Sequence, residues 1–168
     1  MGATMATYCG QNVGAIKLDR LGQGLRACSL LGLGYALLSF ASIFFFAPQM
    51  ALLFLNPGEE ALIGHTAQYI TTLGAFFFPL ALVNILRFSI QGMGFSNLAI
   101  LAGVMEMFAR MGVATLLVPA IGYTGACFAS PAAWICADLF LIPASCWSIA
   151  HLRRVYGQPG ERSGSPAP

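Results

Sequence analysis

The stretch ACSLLGLGYALLSFASIFFF, residues 27–46, is twenty residues long and carries no formal charge. A hydrocarbon core about 30 Å thick is crossed by about 20 apolar residues in a helix. This run, directly after Arg26, is therefore predicted to span a membrane over about 27–47, with Pro48 as its stop signal. Downstream, Asn56-Pro57-Gly58 predicts a turn, because Pro presets φ and Gly accepts positive φ. Glu59 and Glu60 then suit the positive end of a new helix.

That second helix has no formal charge from Ala61 to Leu86. It exceeds one membrane thickness, so its first turns, with His65 and Gln68, are expected at the interface and its span at about 69–90. Gly92-Met93-Gly94 breaks the pattern, and Ser96 or Asn97 is expected to cap a third span over about 97–118, ended by Pro119. After a short turn at Gly122–Gly125 comes a fourth span, about 126–149, with kinks expected at Pro131 and Pro143. Ahead of the first span, Ala3–Cys9 reads as the last turns of a helix whose earlier part is missing. The Gly/Ser/Pro-rich end is expected to form a cytoplasmic, disordered tail over 153–168. The fold class is all-α transmembrane: four spanning helices plus an N-terminal helix remnant.

Composition agrees. Hydrophobic residues make up 58%, charged residues 8%, and the mean hydropathy is +0.76. A water-soluble domain is about one-quarter charged, and a disordered chain needs low hydrophobicity and high charge. A net charge of +2 is too small and too spread out to suit a nucleic acid. The lipid bilayer is the expected partner. Lys17, Arg20, Arg26, Arg87, Arg153, Arg154 and Arg162 all fall on one side of a four-span topology. By the positive-inside rule that side, with both termini, is cytoplasmic; Arg110 lies inside a span. Cys28, Cys127, Cys136 and Cys146 sit in apolar runs and Cys9 near a polar stretch; all five are expected to be reduced and structural. No Cys/His set has metal-ligand spacing, and His65 and His151 are too scattered for catalysis, so neither a metal nor an enzyme is expected.

Residues Gly10–Arg26, GQNVGAIKLDRLGQGLR, resemble a cytoplasmic loop of the multidrug and toxic compound extrusion (MATE) family. The Phe54-Leu55-Asn56-Pro57 turn, Arg87 with Gln91-Gly92-Met93-Gly94, and Glu106 with Arg110 follow in family order. So do Gly122-Tyr123-x-Gly125 and Ser130-Pro131 with Trp134 and Asp138. The resemblance covers about residues 3–152 and implies a partial C-terminal lobe, from the end of helix eight to helix twelve, of a twelve-helix transporter. It implies export of small amphipathic or cationic compounds across a bacterial plasma membrane by antiport. Na⁺ or H⁺ would be the coupling ion, with no other cofactor. It also implies a need for the missing N-terminal helices or a second polypeptide. A small four-helix membrane scaffold or interaction protein is the alternative.

Six residues are transport-core candidates: Glu106, Arg110, Asp138, Asn84, Arg87 and Gln91. Glu106 and Arg110 stand four apart on one helix face, either as part of the transport core or as an ion pair joining two helices. Asp138 has no basic residue at helical spacing and needs a partner from another helix or from water. Asn84, Arg87 and Gln91 predict one polar stripe, with Arg87 snorkelling to headgroups as the simpler alternative. Gln11, Asn12, Gly14 and Arg20 mark the cytoplasmic loop, with Gly14 allowing a tight helix exit and Asp19/Arg20 capping or tethering the next helix. Phe44–Phe46 and Phe76–Phe78 either contact hydrophobic drugs or, more simply, face lipid or pack; Trp134 and Tyr123 fit an interfacial belt, and Ala99 and Gly103 offer a close-packing face.

Overall fold

A computed structural model describes residues 1–52 and 60–156. The Asn56-Pro57-Gly58 turn, Glu59, Arg162 and the tail from Gly157 onward lie outside the described residues. Every element among those described is helical: α1 (Gly2–Gly14), α2 (Asp19–Leu52), α3 (Glu60–Ala75), α4 (Phe77–Gly92), α5 (Ser96–Gly112), α6 (Val118–Ile121), α7 (Tyr123–Cys127) and α8 (Ala129–Tyr156). A π-helical turn, Val113–Leu117, joins α5 to α6. Asp19–Ala47, Ser96–Ile121 and Tyr123–Tyr156 are each long and apolar enough to cross a membrane. Leu62–Ala75 with Phe77–Gly92 makes a fourth crossing when the bent pair is taken as one span. The chain is an integral membrane protein.

Several boundaries differ from expectation, and proline explains most of them. The second span is not one straight helix: it breaks at Phe76 and bends by 51°. Pro79 has no N–H for the Ala75 carbonyl and its ring crowds that carbonyl, so the Phe76 N–H turns back to Leu73 at 3.0 Å. Pro119 does not end the third span either. The chain widens into the π turn just before it, a common way to absorb a missing donor, and Gly122 at φ +60° ends the run. α2 continues past Pro48 to Leu52, and α8 runs unbroken through Pro143 to Tyr156, with Pro131 in its first turn. Residues 153–156, assigned to the tail, are thus helical. The expected turn at Gly122–Gly125 is the start of α7, a single helical turn that continues to Cys127. Neither Ser96 nor Asn97 caps α5, which follows Phe95 without a side-chain cap.

α4 is the hub, packing against α1, α2, α5 and α8. Its Val83, Ile85, Leu86 and Ile90 join Met5 and Cys9 of α1, Leu21 of α2, Ala102 of α5, and Trp134, Ala137 and Leu141 of α8 in one core. Trp134 therefore belongs to the core rather than to an interfacial belt. Cys9 is fully buried, and all five cysteines are free thiols. α1 crosses α4 so closely that a Cβ at Gly92 would collide with the Ala6 backbone. On α5 the buried small residues are Ala99 and Ala102, while Gly103 faces open space.

Contacts define two poles. At one, Asp19 and Arg153 approach to 3.4 Å, and Phe95 packs edge-on against Trp147 and His151. The α1–α2 loop, the α4–α5 turn and the end of α8 thus share a face. At the other, the Tyr123 hydroxyl donates to the His65 carbonyl at 2.8 Å, and Phe76 meets Phe128. Phe44, Phe45 and Phe46 are exposed on α2, where an apolar solvent would cover them.

Candidate functional site

Charge is scarce inside the spans, so the few ionised side chains there must find one another or pay for desolvation. Glu106 sits ten residues into α5, about 15 Å along the axis. Facing it from α4, Arg87 donates through Nη2 to Glu106 Oε1. Arg110, one turn further along α5, places Nη2 3.6 Å from Glu106 Oε2. One carboxylate therefore sits between two guanidinium groups from two helices. The pairing predicted by spacing, Glu106 with Arg110, is the longer of the two. Arg87 turns inward and does not snorkel; its Nε is buried and has no hydrogen-bond partner among the described residues.

Asp138 lies on α8, which packs against both α4 and α5. It is only 7% exposed, and its Oδ1 finds no hydrogen-bond partner among the described residues. The Ser145 and Ser148 hydroxyls further along α8 are buried and bond back to their own helix, at Ile142 and Ala144. Glu106, Arg87, Arg110 and Asp138 thus come from the three mutually packed helices α4, α5 and α8. A buried carboxylate with a free acceptor, such as Asp138, can bind a proton or a small cation. Among the described residues, no three His, Cys, Asp or Glu side chains converge as a metal site would require.

Asn84, Arg87 and Gln91 stand at spacings of three and four on one continuous helix, α4, and differ in their contacts. Asn84 is exposed, bonds back to the Leu80 carbonyl at 2.8 Å and lines a cavity of about 640 Å³ with Tyr35, Phe77 and Phe88. Gln91 is exposed one turn beyond Arg87, near the α4–α5 turn. A second cavity, about 540 Å³, opens beside the α3–α4 break, between Phe40 and Phe44 of α2, Thr71 and Thr72 of α3, and Phe128. It was not visible in the sequence, although Pro79 marks the break that opens it.

The loop motif is mechanical in its contacts. Asn12 is buried and donates to the Tyr8 carbonyl at 2.8 Å, while its own carbonyl accepts from the Lys17 N–H. The Tyr8 hydroxyl reaches the Arg20 carbonyl at 3.0 Å, tying α1 to the start of α2. Gln11 and Gly14 are exposed. The tight exit is made two residues after Gly14, by Ile16 at φ +56°, a conformation that a β-branched residue rarely adopts.

A sequence model of the MatE family matches residues 1–122. The match includes Arg87, Glu106, Arg110 and the loop motif; Asp138 lies beyond it. No curated protein and no solved structure matches the chain.

Proposed function

The chain belongs to the MatE family of membrane transporters, and on that premise we propose that it serves multidrug efflux as the C-terminal part of a drug/cation antiporter. The family match over residues 1–122 carries this reading. The order of motifs supports the finer placement, from the end of helix eight to helix twelve. Small amphipathic or cationic compounds are the substrates, and Na⁺ or H⁺ is the counter-ion. The setting is a bacterial plasma membrane, with the face that bears Lys17, Arg20, Arg26, Arg153 and Arg154 in the cytoplasm. Those basic residues flank the two segments that Asp19 and Arg153 bring together.

Two elements divide the work. The Arg87–Glu106–Arg110 cluster fixes α4 to α5, so that these helices move as one body during alternating access. Asp138, buried with an unsatisfied oxygen, takes up the coupling ion. Transport needs the complementary N-terminal helices, supplied by a second polypeptide or by the rest of a longer chain.

The test is ethidium efflux from everted vesicles of a bacterial strain lacking its own drug exporters, under an imposed Na⁺ or H⁺ gradient. The chain is expressed alone and together with the N-terminal helices of a complete family member. Efflux is expected only with both parts, and Asp138→Asn is expected to abolish its gradient dependence. Efflux by the chain alone would contradict the partial reading, and no efflux in either case would contradict transport.

A further inference from the structure

Arg110 is the residue that the fold leaves unresolved. It lies near the middle of the Ser96–Ile121 crossing, about eleven residues from Ile121, or about 16 Å at 1.5 Å per residue. Half the thickness of the hydrocarbon core is about 15 Å, so headgroups at either face are distant. Yet half of its side chain is exposed. Its one carboxylate neighbour among the described residues, Glu106, stands 3.6 Å away and is already engaged by Arg87. An arginine at this depth costs about 2.5–3.5 kcal/mol on insertion scales unless something meets it.

The surroundings say what can meet it. Only 6% of the apolar window of this crossing is buried. On α5 itself the buried residues are Ala99 and Ala102, on the side packed against the body. Met107, one turn before Arg110, is exposed, as is Ala114, one turn after it, and nothing lies within 4 Å of where a Gly103 Cβ would stand. Lipid chains can cover Met107 but offer no acceptor to a guanidinium. Arg87, Glu106 and Arg110 together carry one net positive charge. The complementary surface is apolar with one carboxylate at mid-membrane depth.

We propose that the face of α5 bearing Gly103, Met107, Arg110 and Ala114 is a docking surface for a transmembrane helix that presents a carboxylate to Arg110. The contact follows from this chain's own charge and depth. That the docking helix belongs to the remainder of the transporter rests on the reading given above. Arg110 then divides its hydrogen bonds between Glu106 and the incoming carboxylate, and α5 becomes an internal helix of the assembled protein.

The experiment uses the full chain, purified and reconstituted in phosphatidylcholine vesicles. The probe is a synthetic poly-leucine transmembrane helix with one central Glu, and energy transfer between labelled chain and probe measures association. The same helix with Leu in place of Glu is the control. At least tenfold tighter association of the Glu probe is expected, falling to the control level for Arg110→Gln. Arg110→Glu is expected to reverse the preference toward a probe with a central Lys. Circular dichroism confirms that each variant remains helical. Equal association of the Glu and Leu probes, or a preference that survives Arg110→Gln, would overturn the proposal. So would loss of the Glu preference when a third of the lipid is anionic, which would mean that a negatively charged headgroup satisfies Arg110. No step depends on transport, so failed efflux and failed docking are read separately.

Discussion

The crossings Ser96–Ile121 and Tyr123–Tyr156 have the same mean hydropathy, 1.6, in their most apolar windows, yet 6% of one window and 44% of the other is buried. Hydropathy places both in lipid and does not distinguish them. The difference lies in which residues recur on one face. α8 lines Pro131, Ala133, Trp134, Ala137, Asp138, Leu141, Ala144, Ser145 and Ser148 against the other helices, mostly small residues that allow close approach, with Trp134 and Leu141 as large anchors. α5 sets only Ala99 and Ala102 inward and carries Met107, Phe108 and Met111 outward. One helix is a core element. The other packs along α8 on one side, is tied to α4 through Glu106, and leaves its remaining faces uncovered.

The largest expected effect follows from that hold. Glu106→Ala leaves Arg87 half-buried beside an exposed Arg110, with no carboxylate between them. Breaking a largely buried pair costs about 3 kcal/mol, and resistance to unfolding by SDS should fall by that amount. Arg110→Ala, at the more exposed end of the same cluster, should cost no more than about 1 kcal/mol. Equal losses would erase the asymmetry between inner and outer partners.

Next in size is a matched pair of overpacking changes. Ala137→Leu forces three extra carbons into the α8 interface and should cost about 2 kcal/mol. Gly103→Leu on α5 meets open space and should cost nothing, with a gain of up to about 1 kcal/mol from helix propensity. Thermal denaturation in detergent compares them directly, and similar melting points would break the distinction between the two helices.

Much of this was legible in the residues, and the misses have physical causes. The crossings follow from run length and charge exclusion, and Gly94 at φ +94° ends the α4–α5 turn where the Gly92-Met93-Gly94 break suggests. The Glu106–Arg110 spacing is visible on one helix. Arg87 as the closer partner is not, because a contact between helices depends on how α4 and α5 pack. The burial of Trp134 is hidden for the same reason. The 51° bend was within reach, since Pro79 interrupts the second apolar run. Ile16 gave no signal at all: Gly14 is the residue that sequence rules favour for a tight exit, and the chain places the strain two positions later.

That position yields a smaller prediction away from both helices. Ile16→Gly relieves a positive-φ conformation and should raise stability by about 1 kcal/mol, seen as a shift in the SDS unfolding midpoint; no gain would mean that the loop relaxes. The smallest energetic effect concerns α4, which packs against both helices. Pro79→Ala restores the donor to the Ala75 carbonyl and should straighten the α3–α4 bend with less than about 1 kcal/mol change in stability. Spin labels at positions 65 and 88 should move apart, and an unchanged distance would assign the bend to packing rather than to proline.

The most direct measurement is the accessibility of spin labels to oxygen dissolved in the bilayer, in the full chain with its native cysteines replaced. Labels at Met107 and Phe108 on α5 should collide freely with lipid-dissolved oxygen, while labels at Ala133 and Ala137 on α8 should be shielded. Comparable accessibility at all four positions would contradict the division between an inner and an outer helix.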